Sequence, residues 1–304
     1  MQVFMTGASG YIGSRVAGLL LSAGHSVTGL ARSDEASDRL VCAGVRPARG
    51  DLRDPERLHV LASEADAIVH TAFDHDLSRF AEAVQAERAA VTALIDAATN
   101  GRTVVISSGT GVLGNTHDRV VDDDDGTDVA GNSRGGVESL ALQTASARGV
   151  RCAVVRLPLF VHGHGGSVFV PALVRAARQA GVSSYVDEGA NRYTAVHVDD
   201  AARLYARAVE RVPVGGALYH ADGEQGVSAK GIAESVGRLL GIPTASVTMR
   251  DATVLWGGWL SGMMVINNQT AAPRARQELA WQPEAGVGLL ADIASGSYRS
   301  LLAQ

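Results

Sequence analysis

Near the start of the chain, Thr6-Gly7-Ala8-Ser9-Gly10-Tyr11-Ile12-Gly13 sets three glycines at intervals of three. Glycines so placed let backbone N–H groups approach an anion with no Cβ in the way, and a helix starting there adds the positive end of its dipole. The chemistry this serves is the holding of a phosphate or pyrophosphate. The pattern carries that meaning only between a strand and a helix. Both are present: Gln2-Val3-Phe4-Met5 is a short apolar strand, and Ser14 to Ala23 has helical apolar spacing. Gly24-His25 ends the helix, and Ser26 to Leu30 reads as a second strand. A βαβ unit of roughly 30 residues results, the size used to bind dinucleotides. Gly7, Ser9, Gly10, Tyr11, Ile12 and Gly13 are therefore expected against a nicotinamide dinucleotide.

The end of the second strand refines this expectation. An NAD-selective site places an acidic residue there to accept from the ribose hydroxyls. Here the chain reads Leu30-Ala31-Arg32-Ser33. A guanidinium is suited to pairing with a 2′-phosphate, so Arg32 and Ser33 point to NADP(H) in preference to NAD(H).

The remaining composition excludes several partners. The 304 residues carry a formal charge of -5 and no basic stripe, so the phosphate neutralisation that drives nucleic-acid binding is missing. No run approaches the ~20 apolar residues of a membrane helix, and no signal core precedes the glycine turn. A cytoplasmic protein is expected. Cys42 and Cys152 belong to no metal or disulfide pattern, and no metal site is expected. Asp122-Asp123-Asp124-Asp125 lacks the alternating spacing of a calcium loop and reads as a solvated loop. A homodimer is compatible with any exposed pair of helices.

The elements that must position the turn recur along the chain. Ala67-Ile68-Val69, Thr103 to Ile106 and Cys152 to Val155 are apolar runs separated by helix-length segments. That alternation implies a parallel sheet covered on both faces. The fold class is thus α/β: a doubly wound, Rossmann-type sheet in residues 1–155, with a smaller substrate-binding lobe in 156–304. Segments near 195–210, beginning with a strand at Ala195-Val196-His197-Val198, are expected to return to the sheet, and an aspartate of His197-Val198-Asp199-Asp200 to cap the helix from Ala201. Val254 to Met264, with two tryptophans and two methionines, reads as a buried helix, as the wall of a pocket for a flat substrate or as a partner-facing surface.

With the turn spaced as Thr6-Gly7-x-x-Gly10-x-x-Gly13, the chain resembles the extended short-chain dehydrogenase/reductases. Further matches follow in order through most of the chain: Gly50-Asp51-Leu52-Arg53-Asp54, Val69-His70-Thr71-Ala72, Ile106-Ser107-Ser108, Arg156-Leu157-Pro158 with His162-Gly163, and Val196-His197-Val198-Asp199-Asp200. The resemblance implies that Asp51 and Leu52 border the adenine, that Thr71, Ala72 and Phe73 run beside the cofactor with Ser107 at the neighbouring strand end, and that Pro158 lies near the nicotinamide. It also implies a Tyr-x-x-x-Lys signature. The corresponding residues are Ala130-Gly131-Asn132-Ser133-Arg134, and the only lysine is Lys230. The position of the catalytic serine falls on Gly109, flanked by Ser108 and Thr110. The closest likeness is to atypical members that keep the cofactor motif without the catalytic set. Arg134, in the lysine's place, retains the ability to bind the nicotinamide ribose but not a tunable pKa.

Reduction of an ordinary ketone leaves an alkoxide, a strong base that needs a proton donor nearby. Reduction of a quinone leaves a phenolate, whose conjugate acid ionises near ~10 and is served by solvent. The sequence therefore favours an NAD(P)H-dependent reductase acting on a small aromatic molecule, a quinone or a polycycle. A narrower form resembles reductase components of flavin-free monooxygenase systems in aromatic polyketide tailoring. One alternative is a ketone reductase or epimerase with a replacement acid drawn from Ser108, Thr110, His75, Asp76, His162 or Tyr193. A second is a non-catalytic sensor of NADP(H).

Overall fold

The computed structural model describes residues 1–74, 79–98, 101–125, 134–166 and 168–303. The first apolar run becomes β1 (Gln2–Thr6), buried from Val3 onward, and the periodic segment becomes α1 (Tyr11–Ser22), which buries Gly13, Val16, Ala17 and Leu20 along one face. The alternation continues through β2 (Ser26–Ala31), α2 (Asp34–Cys42), β3 (Arg46–Arg49), α3 (Pro55–Ser63), β4 (Ala67–His70), α4 (Phe80–Ala97), β5 (Thr103–Gly109), α5 (Arg134–Arg148) and β6 (Arg151–Leu157). These strands and β10 (Ala217–His220) form one parallel sheet in the order β3-β2-β1-β4-β5-β6-β10.

Strand order reverses between β1 and β4, where Thr6 pairs in register with His70. Connections leave that point in opposite directions, so the carboxyl ends of the two strands border a crevice, the place where open α/β sheets take their ligands. Alternate strand residues build the two faces. Met5, Val69, Val105 and Val155 pack with Val16 and Leu20 of α1 and with Leu204, Tyr205 and Val209 of α7 (Val198–Arg211). Phe4, Ile68, Val104 and Val154 pack with α3, α4 and α5 through Leu58, Leu94 and Val137. Each such side chain contributes roughly 1.5–3 kcal/mol by leaving water.

Strand β6 stops at Leu157 because Pro158 has no N–H for the ladder. The chain continues as β7 (Phe160–His162) and pairs with β9 (Arg192–His197), which also pairs antiparallel with β11 (Glu224–Ser228). The strand at 195–198 therefore does not join the main sheet as the sequence suggested. Within that region only α7 packs on the sheet, and the returning strand is β10, whose Ala217, Leu218, Tyr219 and His220 are all buried beside β6. The second lobe is completed by α6 (Phe169–Ala180), β8 (Ser183–Val186), α8 (Ala229–Leu240), β12 (Thr244–Val247), α9 (Met249–Met263) and α11 (Leu289–Ser295) around a core of Phe160, Phe169, Tyr193, Ile232 and Tyr298. A short helix, α10 (Pro273–Glu278), leads to Trp281, whose indole N–H donates to the Asp200 carbonyl at 2.9 Å.

Three local expectations are corrected. Helix α7 begins at Val198, and its cap is His197, whose Nδ1 accepts from the Asp199 N–H; Asp200 is instead buried and accepts from the N–H groups of Glu284 and Ala285. The aspartate run is not wholly solvated, because Asp123 is buried and accepts from the N–H groups of His220 and Arg274. Helix α9 breaks at Gly257, in the left-handed region, and is not buried throughout: Leu260 is covered while Val254 is 82% exposed and Trp259 41%.

Candidate active site

The glycine turn lies at the crevice, and its glycines are required by close approach. Gly7 has φ +74°, and a Cβ there would stand 2.7 Å from Thr71 Oγ1 and from the Ala72 nitrogen. A Cβ on Gly13 would collide with the Gly7 carbonyl. Gly10 is the cap residue of α1, and no side chain accepts from the first-turn N–H groups. A Cβ on it would meet only Gly7 O, at 3.1 Å, so its other side is open. Such a cradle fits a pyrophosphate. Thr71 Oγ1 donates to the Thr6 carbonyl at 2.9 Å, which fixes the β4 end against the turn.

The other expected cofactor residues fall on the same rim. Arg32, just past the end of β2, is exposed, with no ion pair to any described residue. Ser33 Oγ accepts from the Ala36 N–H and caps α2. Asp51 Oδ1 accepts from the Arg53 N–H, and Leu52 packs on the core beside Leu30. Ile12 packs against the core. Tyr11 turns toward the second lobe: its hydroxyl donates to the Gly163 carbonyl at 2.7 Å, and its ring fills the space a Cβ on Gly166 would need. Burial drives the Tyr11 hydroxyl well above its usual pKa, so it stays protonated. Pro158 is buried just beyond β6.

Beneath the crevice runs a buried polar chain that the sequence did not disclose. Tyr205 of α7 donates to Ser107 Oγ at 2.7 Å, and Ser107 donates to the His70 carbonyl at 2.9 Å. His70 Nδ1 lies 2.7 Å from Thr6 Oγ1. Burial first, and Arg134 second, push His70 down to about 4, which keeps the imidazole neutral.

Arg134, at the start of α5, is anchored by its neighbours. Its Nε and Nη2 donate to the Glu87 carboxylate, with Nη2 at 2.8 Å from Oε1, and Nη2 also reaches the Ser107 carbonyl at 3.1 Å. The Phe73 ring lies 4.2 Å from the guanidinium carbon. A second buried pair lies alongside, Arg156 with Glu138, only 1% and 3% exposed. His220 accepts from Arg156 there, and burial followed by that guanidinium lowers it to about 4.

The replacement acids are dispersed. Ser108 Oγ is buried without a described partner. Thr110 Oγ1 donates to Asn268 Oδ1 at 2.5 Å, and Asn268 Nδ2 donates back to the carbonyls of Thr110 and Gly114. His162 is buried in the second lobe with Nδ1 3.0 Å from Asp292 Oδ2. Burial opposes ionisation of Asp292, but bonds from His162 and Ser297 outweigh it and hold the carboxyl at about 2. Tyr193 is buried, donates to the Met263 carbonyl and accepts from Asn191, and burial raises its pKa. His75, Asp76 and residues 130–133 lie outside the described residues. Lys230 sits in the second lobe, its ammonium 5.6 Å from the Tyr185 ring centroid. His164, His197 and Asp199, which the sequence reading did not group together, bring three ligand atoms within 4.8 Å; Asp199 is already bonded to Arg15 and His164.

Fold and cradle together define a doubly wound α/β protein built to hold a dinucleotide at its topological switch point. The model of the NAD dependent epimerase/dehydratase family matches residues 3–219, and the chain belongs to that family. It is similar to the uncharacterized protein YLL056C of Saccharomyces cerevisiae, 37% identical over 96% of this chain and 98% of that one. It also resembles a Stigmatella aurantiaca protein named 4-hydroxy-2-methyl-3-oxo-4-farnesyl-3,4-dihydroquinoline-1-oxide ketoreductase, 29% identical over 73% of this chain and 69% of the other. Among solved structures, MoeE5 in complex with UDP-glucose and NAD superposes with a TM-score of 0.76 over 100% of this chain and 99% of that one, at 23% identity. Among the described residues no helix is long and apolar enough to cross a membrane.

Proposed function

We propose that this protein is an NAD(P)H-dependent reductase of a quinone or polycyclic aromatic substrate, working in the cytoplasm and preferring NADPH. When bound, the reduced nicotinamide supplies a hydride. Gly7, Ser9, Gly10 and Gly13 hold its pyrophosphate, Arg32 and Ser33 its adenosine phosphate, and Thr71, Ala72, Phe73 and Pro158 border the rest. What supports the reading is the sequence resemblance, which puts alanine and arginine at the family's tyrosine and lysine positions, together with the pairing of Arg134 to Glu87. A guanidinium does not give up a proton at neutral pH. Acceptors whose reduced form is a weakly basic phenolate remain open to such a site. The Stigmatella relative, whose name describes a ketone in a benzo-fused dihydropyridine ring, supports a bicyclic substrate.

The polyketide-tailoring form rests on the resemblance to reductase components of flavin-free monooxygenase systems alone. Ketone reduction is the second reading, favoured by the names of two relatives, the ketoreductase and a 2-alkyl-3-oxoalkanoate reductase of Stenotrophomonas maltophilia. Anaerobic incubation with NADPH and a panel of naphthoquinones, anthraquinones and simple aliphatic ketones separates the two. Hydroquinone product from the first two groups is expected. Turnover of the ketones alone would transfer the assignment to the second reading.

A further inference from the structure

We infer that Arg134 is the oxyanion-facing residue of this site: its Nη1 donates to the substrate oxygen that becomes negative as the aromatic ring accepts hydride. The inference rests on the reductase reading and names the group that stands in for the missing acid. Three of the guanidinium's approaches are occupied. Glu87 takes Nε and Nη2, the Ser107 carbonyl takes Nη2 again, and the Phe73 ring lies 4.2 Å from Cζ. Nη1 is left, and no described group accepts from it. It points toward the end of β5, lying 4.0 Å from where a Cβ on Gly109 would stand. Gly109 is the position of the family's catalytic serine, so the spare donor faces the space from which that hydroxyl is absent.

Glu87 cannot be exchanged for water without cost, since its side chain is 3% exposed, and the clamp therefore holds Nη1 in one orientation. A fixed cationic donor in a site shielded from water stabilises developing negative charge without reorganising. The balance is simple. The quinone gains a hydride, its nicotinamide donor is oxidised, one ring carbonyl becomes a phenolate opposite Nη1, and water supplies the proton after release.

The test is spectroscopic. 2-Hydroxyanthraquinone changes colour when its phenol ionises, and it is titrated in complex with the full chain in the presence of NADP+. The midpoint in the wild-type complex is expected to lie about 1–2 pH units below that in Glu87→Gln/Arg134→Met, a change of roughly ten- to a hundredfold in ionisation. The paired substitution leaves no buried charge alone, and Arg134→Lys is expected to fall between the two. Should the double variant fail to fold, Arg134→Lys, which leaves Glu87 paired with a cation but lacks the Nη1 donor, carries the test and is expected to raise the midpoint. Equal midpoints in complexes that all bind the dye would overturn the role of Arg134 and leave the reductase reading standing. A wild-type protein that binds no dye overturns both.

Discussion

Arg32 and the glycines carry the most directly testable residue-level claims. If Arg32 pairs with the 2′-phosphate, Arg32→Ala removes a charge-assisted bond worth about 1.5–3 kcal/mol. NADPH affinity then falls roughly tenfold to a hundredfold with NADH affinity unchanged; a fluorescence titration showing equal losses for both cofactors would refute the pairing. Gly10→Ala is expected to weaken both cofactors, because its Cβ has room in the fold, 3.1 Å from Gly7 O, but would enter the phosphate cradle. Gly13→Ala is expected to lower thermal stability as well, because its Cβ meets backbone. These glycines were legible from their spacing between a strand and a helix. The Glu87–Arg134 clamp was not: its partners are 47 positions apart, and a lone buried glutamate on an apolar helix has no sequence signature that names its arginine.

At the scale of elements, the segment Asn267 to Ala271 works as a strap between the lobes. The Thr116 N–H donates to the Asn267 carbonyl on one side, and the Thr194 N–H donates to the Asn268 carbonyl on the other. Asn268 itself locks the turn after β5 through both its amide atoms. Asn268→Ala leaves two carbonyls and a buried hydroxyl without their partner, and a loss of roughly 2–4 kcal/mol is expected in urea denaturation. A loss below about 0.5 kcal/mol would show that the strap is not a structural tie. The strap was invisible in sequence because neither strand period nor helix period marks it; its order comes from side-chain amides. The misassigned strand at 195–198 has a similar cause. Apolar alternation identifies a strand but not its neighbour, and only the proline after β6, which diverts the chain into β7, decides where β9 pairs.

The architecture of the whole molecule was readable from the alternation of strands and helices, since a parallel sheet covered on both faces leaves few other solutions. Its electrostatics were not, because they depend on which charges the fold buries. His220 is buried with its pKa at about 4, below the ordinary 6.5. The unfolded chain therefore takes up a proton near 6.5 that the native state refuses until about 4. The stability His220 contributes is present above the unfolded value and lost as pH falls toward the folded one. His220→Gln should reduce the loss of stability between those limits by roughly 3 kcal/mol, and an unchanged pH profile would contradict the burial argument. The central claim, hydride transfer without a residue acid, is tested most directly by single-turnover stopped flow of NADPH with a naphthoquinone. Loss of nicotinamide absorbance is predicted to slow when the transferred hydrogen is deuterium and to be unaffected by D2O. A solvent isotope effect on that step, or no quinone-dependent loss of absorbance, would contradict it.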